Sequence, residues 1–143
     1  MPKEEAHLVA ALRNQAAIDH LLEKPEGFSE WIATIAFYKA LHVVEAVFFA
    51  HGPVPHGHSH EDRDRALKVT PEYSEIYKHY RPLWAASMVA RYLYEPGSGL
   101  EHPVFSTYLS PEKVKSELLG HRLHRLQVSA KKFLSPRLRD RLG

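Results

Sequence analysis

The sequence predicts an all-α protein, a bundle of four or five helices in up-down order. Three observations carry that reading. Apolar residues recur at three- and four-residue spacing along nearly the whole chain; no stretch alternates apolar and polar residues as a half-buried strand does; and Pro/Gly stops and capped starts cut the chain into helix-length pieces. Short connections make neighbouring helices antiparallel. The 143 residues suit one domain, and a hydrophobic content of 44% is enough for a core. The expected division is a helical domain over 1–134 and a basic, mobile tail over 135–143.

The first helix is expected over about residues 3–23. Leu8, Ala11, Leu12, Ile18 and Leu22 form its stripe, Gln15 interrupts it, and Pro25 and Gly27 end it. The second, from about Ser29 to Ala50, is apolar around nearly its whole circumference and should be the central, most buried helix. Gly52-Pro53 stops it, and residues 52–58 read as a Gly/Pro/His loop. Ser59 is an N-cap for a short helix from His60 to Val69, with Asp62 as its capping-box partner. Thr70-Pro71-Glu72 restarts the chain with a cap, a first-turn proline and an acid. Tyr73, Tyr77, Tyr80, Trp84, Ser87, Arg91 and Tyr94 then share a stripe, with a kink or break expected at Pro82. Glu95 to Gly99 is a loop. Ser110-Pro111-Glu112 repeats the start signal, and the last helix runs to about Leu134 on a stripe of Leu119, Leu123, Leu126, Ala130 and Phe133.

Composition excludes several chemistries. With no cysteine there is no disulfide, thiolate metal site or thiol nucleophile. The longest unbroken apolar run near the middle, Ala46 to Ala50, falls far short of a membrane span, and the acidic start, Lys3-Glu4-Glu5, does not read as a secretory signal, so a cytoplasmic setting is expected. The net charge of +2 hides an asymmetry of −5 over residues 1–112 and +7 over 113–143. A basic segment of that kind suits an anionic partner such as RNA, or it is simply a solvated helix face.

Polar residues on apolar faces are the candidates for function. His42 sits in the middle of the apolar second helix, with Tyr38 four residues earlier on the same face. His60 and Arg63 share a face of the short helix. Arg91 lies on the buried stripe of the fourth segment, where it needs a carboxylate, a carbonyl or a ligand; structural pairing with Glu45 is the plain alternative. His51, His56, His58 and His60 invite a metal reading, but no cysteine, fixed carboxylate or His-Glu-x-x-His pattern supports one, so no metal and no cofactor are expected. Arg13 and His20 share a face of the first helix turned away from its apolar stripe, hence toward solvent or a dimer partner.

Taken together, Trp31 through Leu41-His42, Ser59-His60-x-x-Arg63 and Ser87-x-x-Ala90-Arg91-Tyr92 resemble the HEPN superfamily of small helical bundles, over about residues 6–94. The resemblance implies a four- or five-helix domain, often a homodimer, that binds RNA or a nucleotide. In some members it implies metal-independent RNA cleavage in toxin–antitoxin or defence systems. It also implies proton-transfer roles for His42 and His60 and phosphate or ligand binding by Arg63, Arg91, Tyr38 and Tyr92. The nuclease members carry Arg-x(4–6)-His. Here no histidine follows Arg91 before His102, and the spacing is met only by Arg13 and His20, on the outward face. A non-catalytic, dimeric module that engages a cognate protein, with the same residues as an internal network, is the other reading.

Overall fold

The computed structural model describes residues 4–51 and 59–142. It is all-α: among the described residues no strand forms, and Tyr94 and Glu101 make an isolated antiparallel bridge. Helix α1 spans Glu4–Leu21 and buries His7, Leu8, Ala11 and Ile18. Arg13 and His20 are exposed, as the helix geometry requires.

Pro25 does not separate α1 from the next helix but starts it. Helix α2 spans Pro25–His51, with Phe28 at φ −136°, ψ 19° as a kink before the regular run. Proline is at home there, because a first-turn residue has no intrahelical acceptor to lose. From Ile32 to Phe48 almost every apolar side chain of α2 is buried. Residues 27–51 are long and apolar enough to cross a membrane by length and composition, which a count of unbroken apolar runs does not reveal; 78% of the decisive window is buried against the other helices.

Helix α3 spans His60–Val69, and Ser59 Oγ accepts the Asp62 amide at its start. A 3-10 turn over Pro71–Tyr73 leads into α4, Ser74–Tyr92. Pro82 produces no break, and the helix continues through it. Leu93, at φ 57°, ends α4 in the left-handed conformation, and Gly97 and Gly99 supply the positive φ of the following loop. The segment 52–58, with His56 and His58, lies outside the described residues.

Helix α5 occupies 111–131, capped by Ser110 Oγ on the Lys113 amide. Its middle, Val114–Leu123, is a π-helix, which the helical stripe did not foretell. The buried residues explain the wider turn: Val114, Leu118, Leu123 and Leu126 follow one another at four, five and three residues, and a five-residue step matches the i→i+5 bonding of a π turn.

The segment expected as a mobile tail is folded. A short helix, α6, spans Pro136–Arg139 and continues as a 3-10 turn over Asp140–Leu142. Leu138 and Leu142, one turn apart, are buried. The Ser135 amide and hydroxyl donate to the Glu4 carboxylate at 2.8 and 2.6 Å, and Arg141 reaches Glu5 at 3.3 Å. The acidic first turn of α1 thus receives the basic end of the chain.

Central α2 contacts α1, α4 and α5. The start of α1 meets the far half of α2 at His7 and His42, and Phe48 of α2 meets Tyr73 before α4. Helix α3 packs on α4, which brings its inner face over Glu45.

Candidate functional site

Three helix faces converge beside the middle of α2. On α2, Tyr38, His42 and Glu45 are spaced four and three residues apart and therefore share a face. The short α3 presents His60 and Arg63, one turn apart. Helix α4 presents Ser87 and Arg91, and α1 adds His7.

The centre is a buried ion pair. Arg63 and Glu45 are 6% and 2% exposed, and both Nε and Nη2 of Arg63 lie 2.8 Å from Glu45 Oε1. The remaining Arg63 nitrogen, Nη1, is 3.2 Å from His60 Nδ1. A guanidinium only donates, so Nδ1 accepts and the His60 proton resides on Nε2. Partial desolvation of a ring that is otherwise exposed, then the charges of Arg63 and Arg91, hold the His60 pKa below the ordinary histidine value, so the ring is neutral near pH 7. Tyr80 lies beside the same guanidinium, yet burial pushes its phenol up to about 12.

His42 is more enclosed. Its Nδ1 lies 3.1 Å from His7 Nδ1, with the ring centroids 5.4 Å apart. One of the two nitrogens must donate and the other accept. Burial lowers the His42 pKa, with Glu45 opposing and Arg63 assisting. His7 was absent from the sequence-level candidates. Carrying the Ala11/Ile18 stripe back one turn reaches it.

Arg91 does not pair with Glu45; Arg63 has taken that carboxylate. Arg91 Nε donates to the Ser87 carbonyl at 3.2 Å, Nη2 to Ser87 Oγ at 3.3 Å and Nη1 to the Tyr38 hydroxyl at 3.3 Å. Its guanidinium carbon also stands 5.8 Å from the Tyr38 ring and 5.3 Å from the Tyr92 ring. These partners are all neutral, and among the described residues no carboxylate lies within ion-pair distance of Arg91.

Open space adjoins this cation. A cavity of about 300 Å³ is lined by Glu30, Trp31, Thr34, Ala90 and Arg91, and a second, of about 360 Å³, continues along Arg91 toward Leu93 and Phe105. Trp31 and Tyr92 are 57% and 62% exposed on their respective helices. Neither cavity is lined by His42 or His60, although His60 is itself exposed.

The sequence-level candidates therefore fall into two linked groups. Arg91 stands at an open pocket with Tyr38 and Tyr92 against its guanidinium, while His42, His60 and Arg63 belong to a bonded network centred on Glu45. Phe37, whose ring lies 5.5 Å from that of Tyr38 and 5.7 Å from that of His60, packs between them. His51 is engaged elsewhere, 2.8 Å from the Tyr73 hydroxyl and edge-on to Phe133. Among the described residues, no group of three or more His, Asp or Glu is placed to hold a metal.

No family model matches the chain, and neither does any curated protein or solved structure.

Proposed function

We propose that the chain is an HEPN-like protein of up-down bundle architecture that binds RNA or a nucleotide at Arg91. The observation that carries this reading is a half-buried guanidinium, held by three neutral oxygen acceptors, at the edge of a cavity rimmed by an exposed tryptophan. Its charge is available to a phosphate. Tyr38 and Ser87 fix its direction. Trp31 and Tyr92 offer flat apolar faces on which bases stack. Glu30 on the same wall limits how many phosphates approach at once.

The His60 geometry favours binding over cleavage. With Nδ1 accepting from Arg63, the outward nitrogen of the neutral ring is a donor. A general base for a ribose hydroxyl needs a free lone pair there, so the tautomer must change first. Arg63, neutralised by Glu45, positions His60 and does not itself receive phosphate in this reading. His42, engaged with His7, is likewise a positioning residue. A homodimer, a cytoplasmic setting and a role in toxin–antitoxin or defence systems follow from the HEPN resemblance alone.

The second reading, a non-catalytic protein-interaction module, draws on the same bonded network, which serves stability without any ligand. One experiment separates the two. Fluorescence anisotropy with labelled single-stranded RNA in EDTA, followed by gel analysis of the same samples, reads binding and cleavage together. The expected result is binding without cleavage in the wild type, weakened about tenfold in Arg91→Ala, as for loss of a charge-assisted hydrogen bond. Equal affinity of wild type and Arg91→Ala, or no binding by either, contradicts the proposal and leaves the interaction module.

A further inference from the structure

Helices α1, α2 and α5 border a third, larger cavity, of about 520 Å³ and open to solvent, that shares no lining residue with the Arg91 pockets. Its apolar walls include Leu22, Leu119 and Leu123; its polar groups include Gln15, Lys39 and Gln127. We infer that this cavity binds a small organic monocarboxylate with an apolar body, its carboxylate paired with the Lys39 ammonium.

Lys39 is the reason. It belongs to the most apolar helix and is only 3% exposed. Its ammonium makes one hydrogen bond, to Gln15 Oε1 at 2.7 Å, which leaves two of its three donors unused. Gln15 passes its own Nε2 to Asp19 at 2.7 Å, so the nearest negative charge stands one amide away. A buried cation with no direct counter-ion is expensive to retain unless something supplies the charge. No carboxylate lines the cavity, while Lys115 and His124 add positive or donor groups to its wall.

Gln127 points to the same ligand. Its Oε1 is buried and has no hydrogen-bond partner. The side chain lines the cavity, so a rotation that turns Nε2 toward the open space gives a second donor for an anion. The wall opposite α2 is the π-helical stretch, a local geometry that recurs at functional sites. Within it Gly120 carries no Cβ, and one built there would stand 3.3 Å from the Lys115 carbonyl, so the widened turn and the glycine belong together. The volume lies in the roughly 300–1,000 Å³ range of small-molecule sites. Three leucines beside an ammonium call for an aliphatic acid and disfavour an inorganic anion.

The acid–base state of Lys39 supplies a specific readout. Burial lowers its pKa to about 8, against the raising effect of Asp19. A bound carboxylate favours the charged amine, so near pH 8 binding draws about half a proton from the buffer, and near pH 6.5 it draws none through Lys39. Isothermal titration calorimetry with sodium hexanoate, in two buffers of different ionisation enthalpy, measures this. The expected result is saturable one-site binding with proton uptake near pH 8, with acetate, four methylenes shorter, bound about a hundredfold more weakly and hexanol about tenfold more weakly. Lys39→Met should weaken hexanoate about tenfold or more and abolish the uptake. Gln127→Leu, which leaves the lysine in place, should weaken hexanoate several-fold while the uptake persists. Absence of hexanoate binding, acetate binding as tight as hexanoate, or affinity and uptake unchanged in Lys39→Met would overturn the inference.

Discussion

Arg63 and Arg91 carry the same charge in opposite surroundings. Arg63 faces a carboxylate that is shielded from solvent, and truncating it removes two 2.8 Å contacts that compensate a buried negative charge. Arg63→Met should therefore cost about 3–5 kcal/mol in urea unfolding at pH 7, whereas the double variant with Glu45→Leu should recover most of it. A single variant of near-native stability would mean that Glu45 finds another route to charge compensation. The histidines add a pH signature. His42, His60 and His79 all have folded-state pKa values below the ordinary one, chiefly through burial. The unfolded chain therefore binds more protons in the window just below pH 6.5, and their contribution to stability, complete above that value, declines as pH falls through the window. The difference between wild type and His42→Gln, followed by thermal melts from pH 7.5 to 5, should shrink or change sign toward acid. A difference constant with pH would contradict the assignment. At this scale the sequence marked Tyr38, His42, His60, Arg63 and Arg91 as polar groups on apolar faces, but it could not assign partners. Glu45 was read as the partner of Arg91, and only the placement of α3 over α2 shows that Arg63 takes it.

Helix boundaries were largely legible because their chemistry is local. Ser59 and Ser110 cap the helices they precede, since a serine oxygen three residues before a free amide needs no tertiary contact to act. Ser59→Ala should cost about 1 kcal/mol and, by loosening the first turn of α3, raise hydrogen exchange at His60 to Arg63. Unchanged exchange there would place the hold on that turn in the Arg63–Glu45 pair alone. Three features escaped a local reading. Pro25 begins a helix because the chain turns immediately before it. Pro82 lies on a helix whose packing on α2 outweighs one lost bond. The π stretch answers to a five-residue apolar step, visible in Leu118 and Leu123 only once the flanking registers are known.

For the whole molecule, helical class followed from periodicity, and the burial of α2 followed from its composition. The fate of the C-terminal segment did not. Its arginines read as a solvated tail, yet Leu138 and Leu142 provide an apolar seam and Glu4 and Glu5 the opposite charge. Glu4→Gln should weaken this closure, with faster exchange over 136–142 by hydrogen–deuterium mass spectrometry; protection equal to wild type would show that the two leucines suffice. The same folding pairs Arg137 and Arg141, still at the surface, with Glu5 of α1. That leaves less uncompensated charge at the C-terminus for an anionic polymer, whereas Arg91 has no carboxylate partner among the described residues.

The most direct measurement is the salt dependence of RNA affinity. A plot of log affinity against log salt for single-stranded RNA has a slope set by the number of phosphates neutralised. If Arg91 holds one phosphate, Arg91→Ala should reduce the magnitude of that slope by about 0.7, and Arg91→Lys should restore it. Parallel lines for wild type and Arg91→Ala would contradict the account.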